Sequence, residues 1–377
     1  MGKLVAVSLF SSCGGGDLGA KQAGVDIVFA NDIDGDSIKT YRKYQHLFAD
    51  GQIDIRHADI SNIKAFPTCD LVIGCYPCQS FTMGGTRSPK ADPRSRLFKE
   101  FKRCIDDTNP TFFVTENVPG LAWLGAGSHV KEQIESFRAA GRGYEVSVEL
   151  LNAKDFGVPQ DRRRLVMVGV RKDVGSYYWF PKPAYGPPGG KLLTWESHGD
   201  AIMDLFSESD GEYYDYPKLP FSWWYMSRNR KRKWEDPSYA IQANWRHVPL
   251  HPASPSMEMV ESRLDDGWKQ KWVFTGGHDH LEGHPNRPML DAPRRLSWRE
   301  CAAIQTFPSG FEPCGSVQSK YSQVGNATPP VLMRAVLNGI LDGAGLLHVP
   351  YETRSASLRR AISTQYSLDI DPKPILD

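Results

Sequence analysis

The chain opens with an apolar, β-branched run, LVAVSLF at 4–10, that breaks into SSCGGGDLGAKQAG, a pattern predicting strand, glycine turn and helix. VDIVFAND at 25–32 reads as a second strand, DSIKTYRKYQHLF has helical spacing of its apolar positions, and CDLVIGCY at 69–76 reads as another buried strand. Further strands follow in TFFVTEN (111–117), YEVSVELLNA (144–153) and RLVMVGV (164–170), with a helix through VKEQIESFRAAG between the first two. Strands alternating with helices predict an α/β class, a doubly wound Rossmann-like sheet.

The alternation stops at FPKPAYGPPGG, 180–190, where four prolines and three glycines in eleven residues mark a linker. Periodicity is poor from about 190 to 290. Helical spacing returns in APRRLSWRECAAIQTFP (292–308) and in NATPPVLMRAVLNGILDGAG, which opens on Pro329 and Pro330. The expected organisation is a main domain at 1–185, a smaller domain at 186–290, a return to the main domain at 291–345, and a polar tail at 346–377. No internal repeat is visible.

Composition adds exclusions. At 377 residues, 40% hydrophobic and 24% charged, the chain has the makeup of a globular protein with a large core. Apolar runs such as LVMVGV (165–170) fall far short of the roughly 20 residues of a membrane span. No signal segment opens the chain, so a cytoplasmic location is expected. Seven cysteines, at 13, 69, 75, 78, 104, 301 and 314, are an odd number, and reduced thiols are the expected state. The net charge of +1 hides clustering, because RNRKRK at 228–233 carries five basic residues in six. Nine of the ten tryptophans lie between 179 and 298. Cations interleaved with aromatics suit contact with nucleic acid; the blander readings are a solvated face and a small aromatic core.

Candidate chemistry begins at GCYPCQSFT, 74–82. Its C-x-x-C spacing suits a redox pair, half of a zinc site, or a nucleophile at Cys78 with Cys75 beside it. A zinc site lacks a second matching pair, and the histidines of GGHDHLEGH (276–284) read as a solvated loop, so no metal is expected. GGGDLG at 14–19 satisfies G-x-G-x-x-G between strand and helix, with Asp32 ending the next strand. This fits a dinucleotide and S-adenosylmethionine equally well, since both carry a ribose that a carboxylate can hold. Asp59 in HADI suits either the adenine amine or a helix N-cap. Cys78 follows a strand at its carboxyl end, where open α/β sheets place their sites. The loop SFTMGGTRSPKADPRSR after it has the composition of a lid over a phosphate-bearing substrate. Glu116 and Asn117 end the next strand, and in QDRRR the alternating Gln160, Arg162 and Arg164 face one way on an extended segment.

In order, these motifs resemble those of the cytosine-5 methyltransferases that act on DNA, over roughly residues 4–345 apart from the middle segment. LFSSCGGGDLG, NDID and ADI resemble the cofactor motifs, PCQSF the nucleophile motif, ENV the acid motif and QDRRR the Q-x-R-x-R motif. RRLSWRECAAIQTFP and VGNATPP resemble the ninth and last motifs. The resemblance implies S-adenosylmethionine as cofactor, held by Phe10, Ser12, Cys13, Gly14, Gly15, Asp32, Ile33, Asp59, Ile60, Pro77, Leu97, Asn326 and Ala327. It implies that Cys78 adds to carbon 6 of cytosine, that Glu116 shares a proton with ring nitrogen 3, and that Arg162 holds the exocyclic oxygen, with Arg164 completing the catalytic set. Double-stranded DNA with a flipped cytosine is the implied partner, met by Gln79, Ser80, Arg94, Gln160, Arg228, Arg230 and Lys231. The middle segment becomes a target-recognition domain. A monomer is expected, and a cognate restriction endonuclease would accompany a prokaryotic or phage-encoded enzyme.

The departures are Phe10-Ser11-Ser12 where the family has F-x-G, Asp32 where it mostly has Glu, and Tyr76 in place of the first of two prolines. Competing readings are methylation of transfer RNA, a catalytically inactive binding relative, and a nicotinamide dehydrogenase resting on GGGDLG alone.

Overall fold

The computed structural model describes residues 3–77, 96–123, 126–208, 221–264, 267–278, 287–341 and 346–348. Four expected site residues, Cys78, Gln79, Ser80 and Arg94, lie outside these. The chain forms two compact units: Met1–Leu151 with Arg163–Lys182 and Met333–Asp377, and Asn152–Arg162 with Pro183–Leu332.

The first unit is built on a seven-stranded sheet. In chain order its strands are β1 (Val5–Leu9), β2 (Asp26–Asp32), β3 (Asp54–His57), β4 (Leu71–Gly74), β5 (Phe112–Asn117) and β6 (Tyr144–Asn152); β7 (Gln160–Asp161) lies in the second unit, and β8 (Arg163–Arg171) completes the sheet. The spatial order is β3-β2-β1-β4-β5-β8-β6. Pairing is parallel from β3 through to β5, and β8 runs antiparallel to β5. β4 and β5 are buried at every residue, as strands covered on both faces must be. This is the doubly wound sheet that the alternation of the sequence predicts. Its order reverses between β1 and β4, and such a switch point opens a crevice at the strands' carboxyl ends.

Five helices accompany these strands: α1 (Gly15–Gln22), α2 (Gly35–Lys43), α3 (Phe98–Thr108), α4 (Gly120–Trp123) and α5 (Ser128–Arg138). α3 was not among the expected elements; its apolar positions Phe98, Phe101, Cys104 and Ile105 are all buried. One core cluster joins them to Phe113, Phe137 and Tyr144, with ring centroids 5.2–6.0 Å apart along Phe101, Phe113 and Tyr144. Gly169 makes room for this cluster. It pairs with Phe113 across β5 and β8, and a Cβ there would lie 1.9 Å from the ring.

In the second unit β7 pairs with Ser238–Tyr239, an antiparallel hairpin joins Met257–Leu264 to Gly267–Phe274, and helices run over Trp298–Ile304 and Val317–Asn326. The segment 291–332 packs with this unit instead of returning to the first at 291. A buried ionic cluster shows why. Glu300 is fully buried, accepts two bonds from Arg294 (2.8 and 2.9 Å), and closes a capping box with Ser297. Burial pushes its carboxyl up, and the Arg294 and His251 contacts outweigh this, holding it well below the usual range. His251 accepts from the Ala253 N–H at Nδ1 (3.0 Å), which leaves its proton on the Nε2 that faces Glu300. Residue 251 from the middle segment is thereby tied to residues 294 and 300. Among the described residues no helix is long and apolar enough to cross a membrane.

Candidate active site

At the carboxyl edge of the first unit's sheet, β1 ends in a sharp turn with Phe10 and Ser12 at positive φ (56° and 50°) and Gly14 at 89°. Side chains rarely take such angles, so another group must hold the turn. Asp32 at the end of β2 does so. Its Oδ2 accepts the Ser12 N–H and its Oδ1 the Asp34 N–H, both at 2.8 Å. Burial raises this carboxyl above its ordinary value, against those backbone donors. With the Ile33 N–H also acting on it, the carboxylate still has acceptor capacity for a ribose hydroxyl, so the shorter acid serves the turn and stays chemically fit for the sugar.

Ile33, next along, is 66% exposed, an unusual setting for a large apolar side chain between two carboxylates. Asp59 follows β3 and is exposed, with Oδ1 accepting the Ser61 N–H and hydroxyl. Its helix-capping reading is thus realised, and Oδ2 is directed elsewhere. Two acids flanking an apolar face suit an adenosine, and the donor set fits S-adenosylmethionine.

Other expected cofactor residues sit deeper. Cys13 is fully buried, and burial pushes its thiol up to about 12, so only its backbone can serve a ligand. Gly14 and Gly15 are buried, and a Cβ at Gly14 would collide with Phe48 at 2.3 Å. Ile60 is a core residue, while Phe10 and Leu97 are partly buried against that core and Pro77 is half-buried. Asn326 and Ala327 belong to the second unit, Asn326 exposed at the end of its helix and Ala327 buried.

Glu116 closes β5. Because β8 runs antiparallel, with Val166 opposite Glu116 and Leu165 opposite Asn117, Arg164 enters the sheet beside that carboxylate. Arg164 Nε lies 2.9 Å from Glu116 Oε1, although the approach lacks the alignment of a hydrogen bond. The contact is an ion pair, and a buried carboxylate oxygen remains without a directed donor among the described residues.

Arg162 behaves differently from expectation. It is 2% exposed, and its Nη1 donates to Ile241 O (2.9 Å) and Nη2 to Gly325 O and Ala327 O (both 3.0 Å). Gln160 is fully buried, accepting the Ile241 N–H and donating to Gln305 Oε1. Through these bonds both side chains reach partners within the second unit. Together with Gln305, which donates to Val324 O, they bind the second unit around the VGNA turn. Gly325 is needed there, since a Cβ would come within 2.4 Å of the backbone at residues 242 and 243.

The basic run is also reapportioned. Lys231 is buried and Arg230 half-buried, donating to Tyr225 O and lying 4.8 Å over the Tyr225 ring; only Arg228 and Lys233 are exposed. Arg295 sits 4.6 Å from the Phe221 and Tyr225 rings, with a buried Nε that has no hydrogen-bond partner among the described residues. Burial lowers His247, and Arg230, Arg295 and Arg246 lower it further. This basic cluster draws on residues 228–230, 246–247 and 295. The last three were missed because no local pattern in the sequence joins them.

A doubly wound sheet of this order, with an acid-braced glycine turn and two further acids at its carboxyl edge, fits the class of Rossmann-like S-adenosylmethionine-dependent methyltransferases. The model of the family described as C-5 cytosine-specific DNA methylase matches residues 4–342. The chain belongs to that family: it is a DNA cytosine-5 methyltransferase that takes its methyl group from S-adenosylmethionine.

Similar curated proteins include the Type II methyltransferase M.BspRI of Lysinibacillus sphaericus, 36% identical over 382 residues (91% of this chain, 82% of that protein). M.MthTI of Methanothermobacter thermautotrophicus is 37% identical over 338 residues (85% and 92%). Among solved structures the S. pombe Dnmt2 methyltransferase shares the fold, with a TM-score of 0.60 at 18% identity, covering 91% of this chain and 99% of that one.

Proposed function

We propose that this enzyme methylates carbon 5 of a cytosine flipped out of a specific duplex DNA site, with Cys78 as nucleophile and Glu116 and Arg164 as the pair that receives the ring. The observation carrying this reading is Glu116, a buried carboxylate ion-paired with Arg164 at 2.9 Å but lacking an aligned donor. Burying such a group without a full set of hydrogen bonds is costly unless a ligand supplies one. A cytosine edge, with its exocyclic amine and a ring nitrogen that gains charge, is such a ligand.

In this mechanism the Cys78 thiolate forms a bond to carbon 6, and the displaced electron pair makes carbon 5 nucleophilic. Glu116 shares a proton with nitrogen 3 as negative charge builds there, and Arg164 stabilises the charge beside it. Arg162 is assigned an architectural part, and the contact with the exocyclic oxygen passes to Arg164. S-adenosylmethionine, when bound, supplies an electrophilic methyl group, and Asp32, Ile33 and Asp59 would hold its adenosine. Loss of the carbon 5 proton to a base then lets the carbon–sulfur bond break and the cysteine depart. Carbon 6 is out of reach inside a stacked duplex, which is why the base must be flipped.

The basic residues Arg228, Arg230, Arg246 and Arg295 of the second unit, with His247 held neutral among them, are assigned to DNA contact, the guanidiniums offering charge to phosphate and donors to a base edge. Relatives named as Type II methyltransferases support a place in a restriction-modification system beside a cognate endonuclease. We assign the enzyme as a cytoplasmic monomer. Transfer of labelled methyl to duplex DNA and to transfer RNA tests the reading. Incorporation into duplex DNA at a defined sequence is expected, and incorporation into transfer RNA alone would overturn it.

A further inference from the structure

Tyr76 stands directly before Pro77, in the short arm leading out of β4. A residue in an exit arm of an open sheet is commonly exposed, yet Tyr76 is 4% exposed. Its hydroxyl donates to Gln133 Oε1 at 2.6 Å, and Gln133, on α5, is itself 2% exposed. This is a short bond between two buried neutral groups from elements 57 residues apart. Its ring lies edge-on to Phe10, centroids 6.4 Å apart at 77°, and tilted against Phe101 of α3 at 5.9 Å. Its carbonyl is 3.5 Å from Asn117 Nδ2, and Asn117 follows Glu116. One residue therefore joins the cofactor turn and the helix layer through its side chain, and the strand end that bears the catalytic acid through its carbonyl.

A proline at this position could do none of this through a hydroxyl. Phe10 sits at a positive φ of 56°, a conformation that needs support from its surroundings. A hydrogen bond at the tip of a two-torsion side chain fixes the ring in rotation, and the ring in turn fixes the backbone entering Pro77.

We propose that Tyr76 is a positioning residue for methyl transfer: its hydroxyl, bonded to Gln133, sets the course of the chain at Pro77, while its ring backs Phe10. The idea rests on the reading of Cys78, two residues on, as the nucleophile. Misplacing a reacting group by about 1 Å can cost about a hundredfold in rate. Tyr76→Phe should accordingly lower kcat by about tenfold to a hundredfold, with KM for DNA and the Kd of S-adenosylmethionine little changed. Tyr76→Leu, which also removes the ring behind Phe10, should in addition weaken S-adenosylmethionine binding by about tenfold in calorimetry.

The deciding variant is Tyr76→Phe with Gln133→Met. Removing both partners restores stability that the single change loses by leaving a buried acceptor unsatisfied. The proposal predicts a melting temperature near wild type and a kcat still reduced. A double variant with wild-type kcat would overturn it, showing that the bond serves stability alone. Cys78→Ser is assayed alongside: retained methyl transfer there would remove the nucleophile reading, whereas the Tyr76 comparison is read from kcat and Kd independently.

Discussion

The guanidinium of Arg162 donates to three backbone carbonyls, whereas that of Arg164 faces a carboxylate at 2.9 Å, and this predicts different consequences for losing each. Arg164→Lys should lower kcat by about 10²–10³ while leaving the urea midpoint nearly unchanged, as removal of a charge-stabilising donor does elsewhere. Arg162→Met leaves buried acceptors unsatisfied and should cost about 2–4 kcal/mol of stability in urea titration. A variant pair with the two effects exchanged would refute the assignment.

Asp17 offers a pH-dependent test. It is buried, accepting from the Ser8 and Tyr41 hydroxyls at 2.7 Å each, and burial pushes its carboxyl up to about 6. The folded state thus binds more protons than the unfolded state between about pH 4 and pH 6, and stability falls as pH rises through that window. Asn at this position does not titrate, so Asp17→Asn should gain about 3 kcal/mol relative to wild type between about pH 4 and pH 7. A stability difference that is flat with pH would contradict this.

At the scale of elements, most of the sheet was legible because β1, β2, β4, β5 and β8 carry largely apolar or β-branched runs flanked by turn residues, whereas β3 (Asp54–His57) has one apolar residue in four and left no such signal. Helix α3 was not legible, since its segment follows a polar stretch of sequence and only four of its eleven residues are buried. The hairpin Met257–Leu264 with Gly267–Phe274 mixes charged and aromatic residues, with Glu258, Met259 and Gln270 exposed, so no period stands out. The RNRKRK run read as a set of DNA contacts through Arg228, Arg230 and Lys231, because its local composition hides the burial of Lys231 and the aromatic shelf at Tyr225 that absorbs Arg230. Gly169 carries a prediction at this scale. Gly169→Ala would drive a Cβ to 1.9 Å from the Phe113 ring, forcing β5 and β8 apart. The expected loss is about 3 kcal/mol or more by thermal or urea unfolding, and a neutral result would refute the close pairing of these strands.

For the whole molecule, the site was legible in its parts and less so in its partition. Gln160 and Arg162 are buried and Arg163, between Arg162 and Arg164, is exposed, yet Gln160 and Arg162 are spent within the second unit while Arg164 meets Glu116 in the first. No spacing rule shows whether a buried arginine meets carbonyls or a ligand, because that depends on chain 79 to 165 residues away. The attachment of the segment around Glu300 to the second unit likewise involves a long-range pairing, with His251, that no change of composition marks.

The central claim is that this chain methylates cytosine through a covalent bond from Cys78. Its most direct test is to trap the enzyme on duplex DNA containing 5-fluorocytosine in the presence of S-adenosylmethionine and to locate the adduct by peptide mass spectrometry. The account predicts that the modified peptide carries the nucleotide on Cys78, that Cys75→Ala traps normally, and that Cys78→Ser traps nothing. An adduct on Cys75, or equal trapping by wild type and Cys78→Ser, would contradict it.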